Sequence, residues 1–312
     1  MDLYKLKKNK LEQVDISYFN LEKDIQEIVE NNSEELFQLE FVSSEFSAQK
    51  FRLDSVCFDN ETNSFVIIEY KKSKKFSVID QGFTYLSLML NNKADFILEY
   101  NENKNKTLNR KSVDWTQSRV IFISTGFTDY QINSVNFKDV PFELWEIKKY
   151  ENDLIGLVHL LPTSNESIQN VTSSNNTVIK SVTSEVKVYD EDHIFSGKSE
   201  QVRKLYNRLK SDFSELDEVK IKINRNYISF KRRSWVFLYI NSKKNHLTLH
   251  ILKGYLGTKN KFLLDDPKNI FKEKKTKGGN LLLYEYLMKD EKNYDYAFLM
   301  IKQKYESHAS KS

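Results

Sequence analysis

Apolar and polar residues alternate along two neighbouring stretches of the chain, residues 50–58 and 65–71, which flank a short polar turn. This pattern predicts a β-hairpin. Side chains two residues apart on a strand share a face, so Glu69 and Lys71 point to the same side of the predicted sheet. Asp54 lies in the middle of the partner strand. The alternation therefore predicts a sheet face on which an aspartate, a glutamate and a lysine converge.

The pattern around this hairpin predicts an α/β domain. Apolar residues recur at helical spacing in three segments, residues 21–36 (with a break at Asn31-Asn32), 80–91 and 128–135. Apolar runs predict further strands over residues 37–46, 94–100, 119–124 and 142–148. We therefore expect a central mixed sheet that is flanked by helices. In the second predicted helix, Gln81 and Tyr85 stand at i and i+4 and share a face.

The second half of the chain has a different pattern. Residues 162–187 are dominated by Ser, Thr and Asn, which predicts a linker between a first domain of residues 1–161 and a second of residues 188–312. The second domain begins with an amphipathic helix over 199–213 and ends with a helix over 294–305. Between these helices lie the three predicted strands of an antiparallel meander, residues 219–223, 227–240 and 246–252. A lysine-rich loop over residues 268–279 then leads to a further short strand, residues 281–287. The order of elements indicates a smaller α+β domain.

Length and composition exclude several classes of protein. A chain of 312 residues is long enough for two domains, each with its own core. No apolar run approaches the roughly 20 residues of a membrane span, and the lysines near the start are not followed by an apolar signal segment. Cys57 is the only cysteine, which excludes an intrachain disulfide and a cysteine zinc site. A cytoplasmic protein with no membrane partner is the simplest interpretation.

Charge is unevenly distributed along the chain. The formal net charge is +4, but the balance is −6 over residues 1–160, −3 over 161–200 and +13 over 201–312. A basic segment of this kind favours a polyanionic partner, nucleic acid before membrane, although a solvated lysine-rich surface is an equal alternative on charge alone. The gradient suggests that the second domain supplies affinity for such a partner.

The residues of the predicted hairpin suit a magnesium ion. Mg²⁺ prefers oxygen ligands and retains several waters, so a carboxylate from each of two neighbouring strands and one backbone carbonyl would hold it. Asp54, Glu69 and the carbonyl of Tyr70 would supply these ligands. Such an ion can polarise a phosphodiester and activate a water molecule, and Mn²⁺ is an alternative cation.

Four further residues fit the same chemistry. Lys71 could orient the water or help to deprotonate it, because a nearby dication favours the neutral lysine. Glu22, on the first helix, could join the site through a water molecule. Gln81 and Tyr85 could hold the water network and a phosphate.

These residues carry a resemblance to a known superfamily. Asp54, fourteen intervening residues and then Glu69-Tyr70-Lys71 resemble the PD-(D/E)xK nucleases. Further matches, which resemble the nuclease domain of NucS-type endonucleases and related bacterial proteins, are Glu22 in LEKDIQ, Arg52-Leu53-Asp54, and Asp80-Gln81-Gly82 with Tyr85-Leu86. The resemblance covers about residues 15–150 and lacks the proline before the aspartate.

The resemblance implies a restriction-endonuclease-like fold and a Mg²⁺-dependent nuclease, DNA rather than RNA being its expected substrate. It implies that Asp54 and Glu69 are metal ligands, that Lys71 is the catalytic lysine, and that Glu22, Gln81 and Tyr85 complete the site. Because many such enzymes cut two strands as dimers, a homodimer is one expectation. The second domain is similar to a small domain of unassigned function that occurs beside such nuclease domains in predicted transport proteins.

Simpler explanations exist for each part of this pattern. Glu69 and Lys71 could belong to an exposed ion-paired face, where such a pair contributes little stability. Gln81 and Tyr85 could merely pack a helix on the sheet, and Glu22 could be a first-turn acid. His246 and His250 share a strand face, but two partly exposed strand histidines are more common than a metal pair. An inactive nucleic-acid-binding or regulatory protein that retains the nuclease fold is the alternative function.

Basic residues for contact with nucleic acid are predicted in both domains. In the first domain they follow the hairpin as Lys72, Lys74 and Lys75. In the second domain the lysines and arginines interleave with Tyr227 and Trp235. Such an arrangement suits nucleic acid, because the cations contact phosphates and the aromatic rings stack on nucleobases. These second-domain bases are Lys220, Lys222, Arg225, Lys231, Arg232 and Arg233. The second domain could instead bind a protein partner.

Overall fold

The computed structural model describes residues 2–72, 76–171, 176–233, 235–259, 261–276 and 281–307. The chain divides into two compact units, Met1–Val188 and Tyr189–Ser312. Across the described ranges, no helix combines the length and apolarity that a membrane crossing requires. Each unit has its own hydrophobic core.

The first unit is a mixed α/β structure. Its strands are β1 Leu3–Lys7, β2 Lys10–Val14, β3 Ile16–Ser17, β4 Glu40–Ala48, β5 Phe51–Asp59, β6 Ser64–Lys71, β7 Arg119–Ser124, β8 Phe142–Tyr150 and β9 Ile155–Leu160. Its helices are α1 Glu22–Asn31, α2 Ser33–Phe37, α3 Val78–Asn91, α4 Lys93–Lys104, α5 Asp129–Ser134, α6 Ile168–Val171 and α7 Thr177–Glu185. The predicted hairpin is β5–β6, and the predicted helix break at Asn31-Asn32 separates α1 from α2.

Seven of these strands form one central sheet in the order β3-β8-β7-β6-β5-β4, with β9 paired to β8. The pairs β6–β7 and β7–β8 are parallel, while the other pairs are antiparallel, so the sheet is mixed as expected. Strands β1 and β2 form a separate hairpin that pairs with no other described strand.

Helices cover both faces of the central sheet. On one face, Ile68 and Tyr70 of β6 pack in a cluster with Ile25 and Val29 of α1. On the other face, Ile67 packs in a cluster with α3 and α4. Alternation along β6 therefore sends neighbouring side chains into different cores, as a strand that is covered on both faces requires.

The predicted strand over residues 94–100 is wrong, because this segment belongs to helix α4. Phe96 and Tyr100 are buried at i and i+4 and pack against aromatic rings of the sheet, including Phe58 and Phe65. Leu98, which a buried strand would hide, is 56% exposed. The apolar run was short enough to fit either element, and the spacing of its aromatic residues is helical.

The predicted linker over residues 162–187 is also wrong. Ile168, Val182 and Val186 are buried in the core of the first unit, and Ile179 packs against the same core. These residues lie on α6, on α7 and at the C-cap position that follows α7, so this segment contributes to the first unit. Its polar composition concealed a short amphipathic helix.

The second unit is an α+β structure with an antiparallel sheet. Its helices are α8 Glu191–Phe195, α9 Glu200–Ser214 and α10 Tyr294–Glu306. Its strands are β10 Val219–Ile223, β11 Ile228–Arg232, β12 Trp235–Ser242, β13 Leu247–Tyr255, β14 Lys272–Lys275 and β15 Leu281–Met288. The sheet order is β10-β11-β12-β13-β15-β14, and all described pairs are antiparallel, which agrees with the predicted meander.

The predicted strand over residues 227–240 is two strands, β11 and β12, which pair with each other. The chain reverses after Arg232, and Arg233 adopts a positive φ of 52°. No Gly, Pro or Asn marks this turn in the sequence, so the usual signal of a hairpin was missing.

Candidate functional site

The antiparallel pairing of β5 and β6 ends beside Asp54 and Glu69, and we call the surroundings of these two side chains the β5–β6 cleft. Their antiparallel register runs from Asp59↔Ser64 to Ser55↔Ile68. Asp54 and Glu69 follow that last pair, while β6 continues beside β7 as far as Lys71↔Ser124. Because the register of β5 with β6 ends just before this point, the two carboxylates lie where the backbone ladder of these strands stops. The register places them on the face that alternation predicted.

Glu69 forms the centre of this cleft. Its side chain is only 2% exposed, and its Oε1 accepts hydrogen bonds from Lys71 Nζ (2.6 Å) and Gln81 Nε2 (2.6 Å). The Gln81 amide also donates to the Tyr85 hydroxyl at 2.7 Å, so the i, i+4 pair of α3 reaches the glutamate. Burial and then the charge of Glu69 raise the pKa of Tyr85, which keeps its hydroxyl protonated.

Asp54 faces Glu69 from the other strand. Its Oδ2 accepts the backbone N–H of Tyr70 at 2.9 Å, a donor left without a ladder partner on β5. Burial and then the negative charge of Glu69 raise the pKa of Asp54 to about 7. Two carboxylates in one low-dielectric site disfavour each other's ionisation. Full ionisation of both carboxylates is therefore unfavourable in this site unless a further cation is bound.

Lys71 is the nearest cation. Burial alone would lower the pKa of its ammonium, but the charge of Glu69 and the hydrogen bond to it raise this pKa above the usual value. Lys71 therefore remains protonated in this state. Glu22 contributes to the same shift, and its Oε2 accepts the backbone N–H of Lys72 at 2.8 Å. This contact places the acid of α1 at the end of β6.

The donor set fits a divalent cation with oxygen ligands. Glu69 Oε2 is buried and has no hydrogen-bond partner among the residues that the structure describes. An orphaned carboxylate oxygen of this kind is costly unless a ligand completes it. A cation between Glu69 and Asp54 would satisfy this oxygen and would relieve the repulsion that raises the Asp54 pKa. No group of three or more His, Cys, Asp and Glu side chains suited to a metal occurs in the described part of the chain, so water would supply the remaining ligands.

A set of polar residues on the opposite side of β5 was not predicted from the sequence. Gln26 Nε2 of α1 donates to the backbone carbonyl of Asp54 (3.1 Å), and it also contacts Ser44 and Glu30. Ser55 Oγ donates to Glu30 Oε1 at 2.6 Å. The signal was present as polar residues at i, i+4 and i+8 of α1 (Glu22, Gln26 and Glu30), beside the apolar residues that defined the helix.

The lysines and arginines that were predicted to contact nucleic acid lie in different parts of the structure. The Lys72 ammonium donates a hydrogen bond to the Asn20 carbonyl. Lys74 and Lys75 lie outside the described residues. In the second unit, Lys220 pairs in register with Lys231, and Lys222 pairs with Ser229. The neighbouring positions on β11, Ile228 and Phe230, are buried in the helix-covered core, so these lysines belong to the other face of the sheet. On that face Lys220 is exposed, Lys222 is half-buried and Lys231 is buried.

The remaining bases of the second unit occupy other positions. Arg232 stacks over the Tyr305 ring of α10 at 4.5 Å, on the helix-covered side. Arg233 is 61% exposed, and both arginines form ion pairs with Glu218. Arg225 is exposed in the turn between β10 and β11. Arg232 is therefore held within the fold and does not belong to the lysine-bearing face.

The two strand histidines form no metal pair. His250 Nε2 lies 3.0 Å from Glu285 Oε2, and the other oxygen of Glu285 pairs with Lys274 at 2.9 Å. The hydrogen bond and charge of Lys274, and those of His250, outweigh burial and lower the pKa of Glu285. This cluster explains His250 as the partner of a carboxylate.

Comparison with known proteins identifies one relative over nearly the whole chain. An uncharacterized protein of Haemophilus influenzae is 39% identical over 309 residues, which cover 97% of this chain and 99% of that protein. Residues 191–292 match the model of a domain of unknown function, DUF5655. No solved structure matches.

Proposed function

The chain belongs to the family of the Haemophilus influenzae protein, and we propose that it is a metal-dependent phosphodiesterase that cleaves nucleic acid, DNA more readily than RNA. The proposal assigns the first unit a restriction-endonuclease-like fold with the site in the β5–β6 cleft. The mixed sheet, covered by helices on both faces, supports this assignment. The substrate class comes from the resemblance of Asp54, Glu69, Lys71, Gln81 and Tyr85 to PD-(D/E)xK nucleases.

One observation carries the proposal. Glu69 Oε2 is buried without a hydrogen-bond partner among described residues, beside an aspartate whose pKa is raised to about 7. A purely structural ion pair would satisfy both carboxylate oxygens, because a buried unpaired acceptor costs about 1–3 kcal/mol. Perturbed acids with a specific charge partner in a cleft are typical of functional sites.

Asp54, Glu69 and the Tyr70 carbonyl would hold Mg²⁺ or Mn²⁺. When bound, such an ion would polarise the phosphodiester and make a water molecule more acidic. The protonated Lys71 ammonium donates hydrogen bonds, so it can fix that water or a non-bridging phosphate oxygen for in-line attack. Gln81 keeps Glu69 in place, and Tyr85 supports the Gln81 amide. The proton of the attacking water would pass to Lys71 only if the pKa of Lys71 fell when the cation and the substrate completed the site.

The second unit would hold the substrate. Its lysine-bearing sheet face offers Lys220, which is exposed, and Lys222, which is half-buried, whereas Lys231 is buried. This face lies in the basic part of the chain, whereas the first unit is acidic. Cations on one sheet face suit phosphate contacts, which supply affinity without reading the sequence. Arg225 and Arg233 extend the basic surface at the strand turns.

A cleavage panel tests the proposal. Single-stranded, duplex, branched, modified and mismatched DNA, and RNA, would be incubated with Mg²⁺ or Mn²⁺ and the wild type, Asp54→Asn, Glu69→Gln or Lys71→Met. We expect wild-type cleavage of at least one substrate and a loss of about 10²–10⁴-fold in each variant, the usual range for acid–base and electrostatic groups. The losses should not add, because the three residues act as a unit.

Lys93 and Glu185 provide the matched control. They form a lysine–carboxylate pair in the same unit, away from the cleft, so Lys93→Met and Glu185→Gln should retain activity. Cleavage that persists in all three site variants would contradict the assignment. If the wild type binds nucleic acid but cleaves none of the substrates, the alternative of an inactive binding protein is favoured.

A further inference from the structure

Hydrogen bonds behind the cleft form a closed ring through Asp54. Gln26 Nε2 donates to the Asp54 carbonyl (3.1 Å) and to Glu30 Oε1 (2.9 Å). Ser55 Oγ donates to the same Glu30 oxygen at 2.6 Å and lies 3.0 Å from the Tyr70 hydroxyl. Because Ser55 has a single proton and gives it to Glu30, the Tyr70 hydroxyl is the donor in the second contact. The Tyr70 backbone N–H donates to Asp54 Oδ2 at 2.9 Å, and this hydrogen bond closes the ring.

The ring lies where backbone pairing ends. Ser55↔Ile68 is the last pair of β5 and β6, so no ladder hydrogen bond fixes Asp54 against Tyr70. The ring supplies the missing connection through side chains, and it holds Asp54 at both its carbonyl and its carboxylate. Without it, β5 would remain tied to β4, on the side away from Glu69.

Three members of the ring are shielded from water, while Glu30 and Asp54 are partly exposed. Ser55 is 0% exposed, and Gln26 and Tyr70 are also buried. In such surroundings a hydrogen bond is electrostatically stronger than in water, and removal of one partner leaves the other unsatisfied. The ring thus forms a rigid support on the α1 side of β5, while the carboxylates of the cleft lie on the α3 side.

We propose that Gln26, Glu30 and Ser55 are positioning residues, which hold Asp54 at the distance from Glu69 that a shared cation requires. This inference rests on the proposed function for its purpose, but its geometry can be tested without metal. Groups that orient metal-binding side chains typically change metal affinity or activity by 10–100-fold when they are replaced. The three residues extend the site from the strands to helix α1.

The test compares two equally buried serines of the same hairpin. Ser55→Ala breaks the ring, whereas Ser64→Ala removes a 0% exposed hydroxyl at the other end, where it contacts Thr62. Gln26→Leu and Tyr70→Phe break the ring at two further points. Hydrogen exchange of the Tyr70 amide in metal-free protein reports directly on its bond to Asp54, and calorimetric titration with Mg²⁺ reports on the site.

We expect the Tyr70 amide to exchange at least about tenfold faster in Ser55→Ala and Gln26→Leu than in Ser64→Ala, and Mg²⁺ affinity to fall by about 10–100-fold. The amides of Val66 and Ile67, inside the paired register, serve as internal references for folding. Unchanged Tyr70 exchange in both ring variants overturns the positioning role. If that amide responds but the wild type binds no Mg²⁺, the ring stands and the proposed metal function fails.

Discussion

The two units each carry a glutamate that pairs with a lysine on a sheet, and the two clusters differ in one respect. In the second unit, each oxygen of Glu285 has a partner, His250 for one and Lys274 for the other. In the first unit, Lys71 and Gln81 donate to the same oxygen of Glu69, and the other oxygen is buried without a geometric hydrogen-bond partner among described residues.

The pKa values of the acids follow this difference. The partners of Glu285 lower its pKa, while burial and the charge of Glu69 raise the pKa of Asp54 to about 7. The same residue types therefore form a self-sufficient cluster in one unit and an incomplete one in the other. Imbalance of charge and hydrogen bonding, and not the presence of an acid beside a lysine, distinguishes the candidate site.

The pH dependence of stability should differ in sign between the two clusters. The folded pKa of Asp54 is raised above the usual value near 3.9, so its stabilising contribution is complete below about pH 4 and is lost as the pH rises to about 7. The loss is at most about 4 kcal/mol, because each pKa unit corresponds to 1.36 kcal/mol. The lowered pKa of Glu285 has the opposite effect, since its contribution is present above the unfolded value and is lost as the pH falls.

Urea unfolding in a chelator at pH 3, 4.5, 6 and 7.5 measures both effects. Asp54→Asn should remove a decrease in the free energy of unfolding between pH 4.5 and 7.5, and Glu285→Gln should remove an increase between pH 3 and 4.5. Identical pH profiles of wild type and Asp54→Asn would show that the pKa of Asp54 is not raised. The two clusters would then not differ in this respect.

The elements of the cleft could be predicted from sequence because they depend on local spacing. The two-residue period placed Glu69 and Lys71 on one face, and the i, i+4 spacing brought Gln81 and Tyr85 to that face. The role of Gln26 and Ser55 could not be predicted, because their contacts join α1 to β5 through tertiary packing. The helical identity of residues 94–100 and the core contacts of Val182 were also decided by packing.

Divalent metal should stabilise the protein through Glu69 but not through Glu285. A ligand that binds only the folded state at 100 times its Kd adds about 2.7 kcal/mol to the free energy of unfolding. We expect this increase at pH 7.5 with Mg²⁺ for the wild type and for Glu285→Gln, and its absence for Glu69→Gln. Chemical unfolding with and without the metal provides the measurement. Equal stabilisation of both variants would place the cation elsewhere.

The smallest expected effects concern the proposed roles of the two units, in which the first would cleave nucleic acid and the second would bind it. Single substitutions Lys220→Gln and Lys222→Gln should weaken nucleic-acid binding several-fold. Each lost phosphate contact should reduce the slope of log K against log salt by about 0.9 for duplex DNA and about 0.7 for single strands. Binding would be measured in a chelator, so that cleavage does not interfere.

Lys243 and Lys244 are the controls for this last prediction, because both are exposed in a turn of the same unit but lie outside the lysine-bearing face. Glu69→Gln should leave the metal-free dissociation constant unchanged while it abolishes cleavage. Equal salt slopes for Lys220→Gln and Lys243→Gln would show that the sheet face does not contact phosphates. Binding that is insensitive to salt would instead indicate a protein partner for the second unit, because phosphate contacts must weaken as counterions compete.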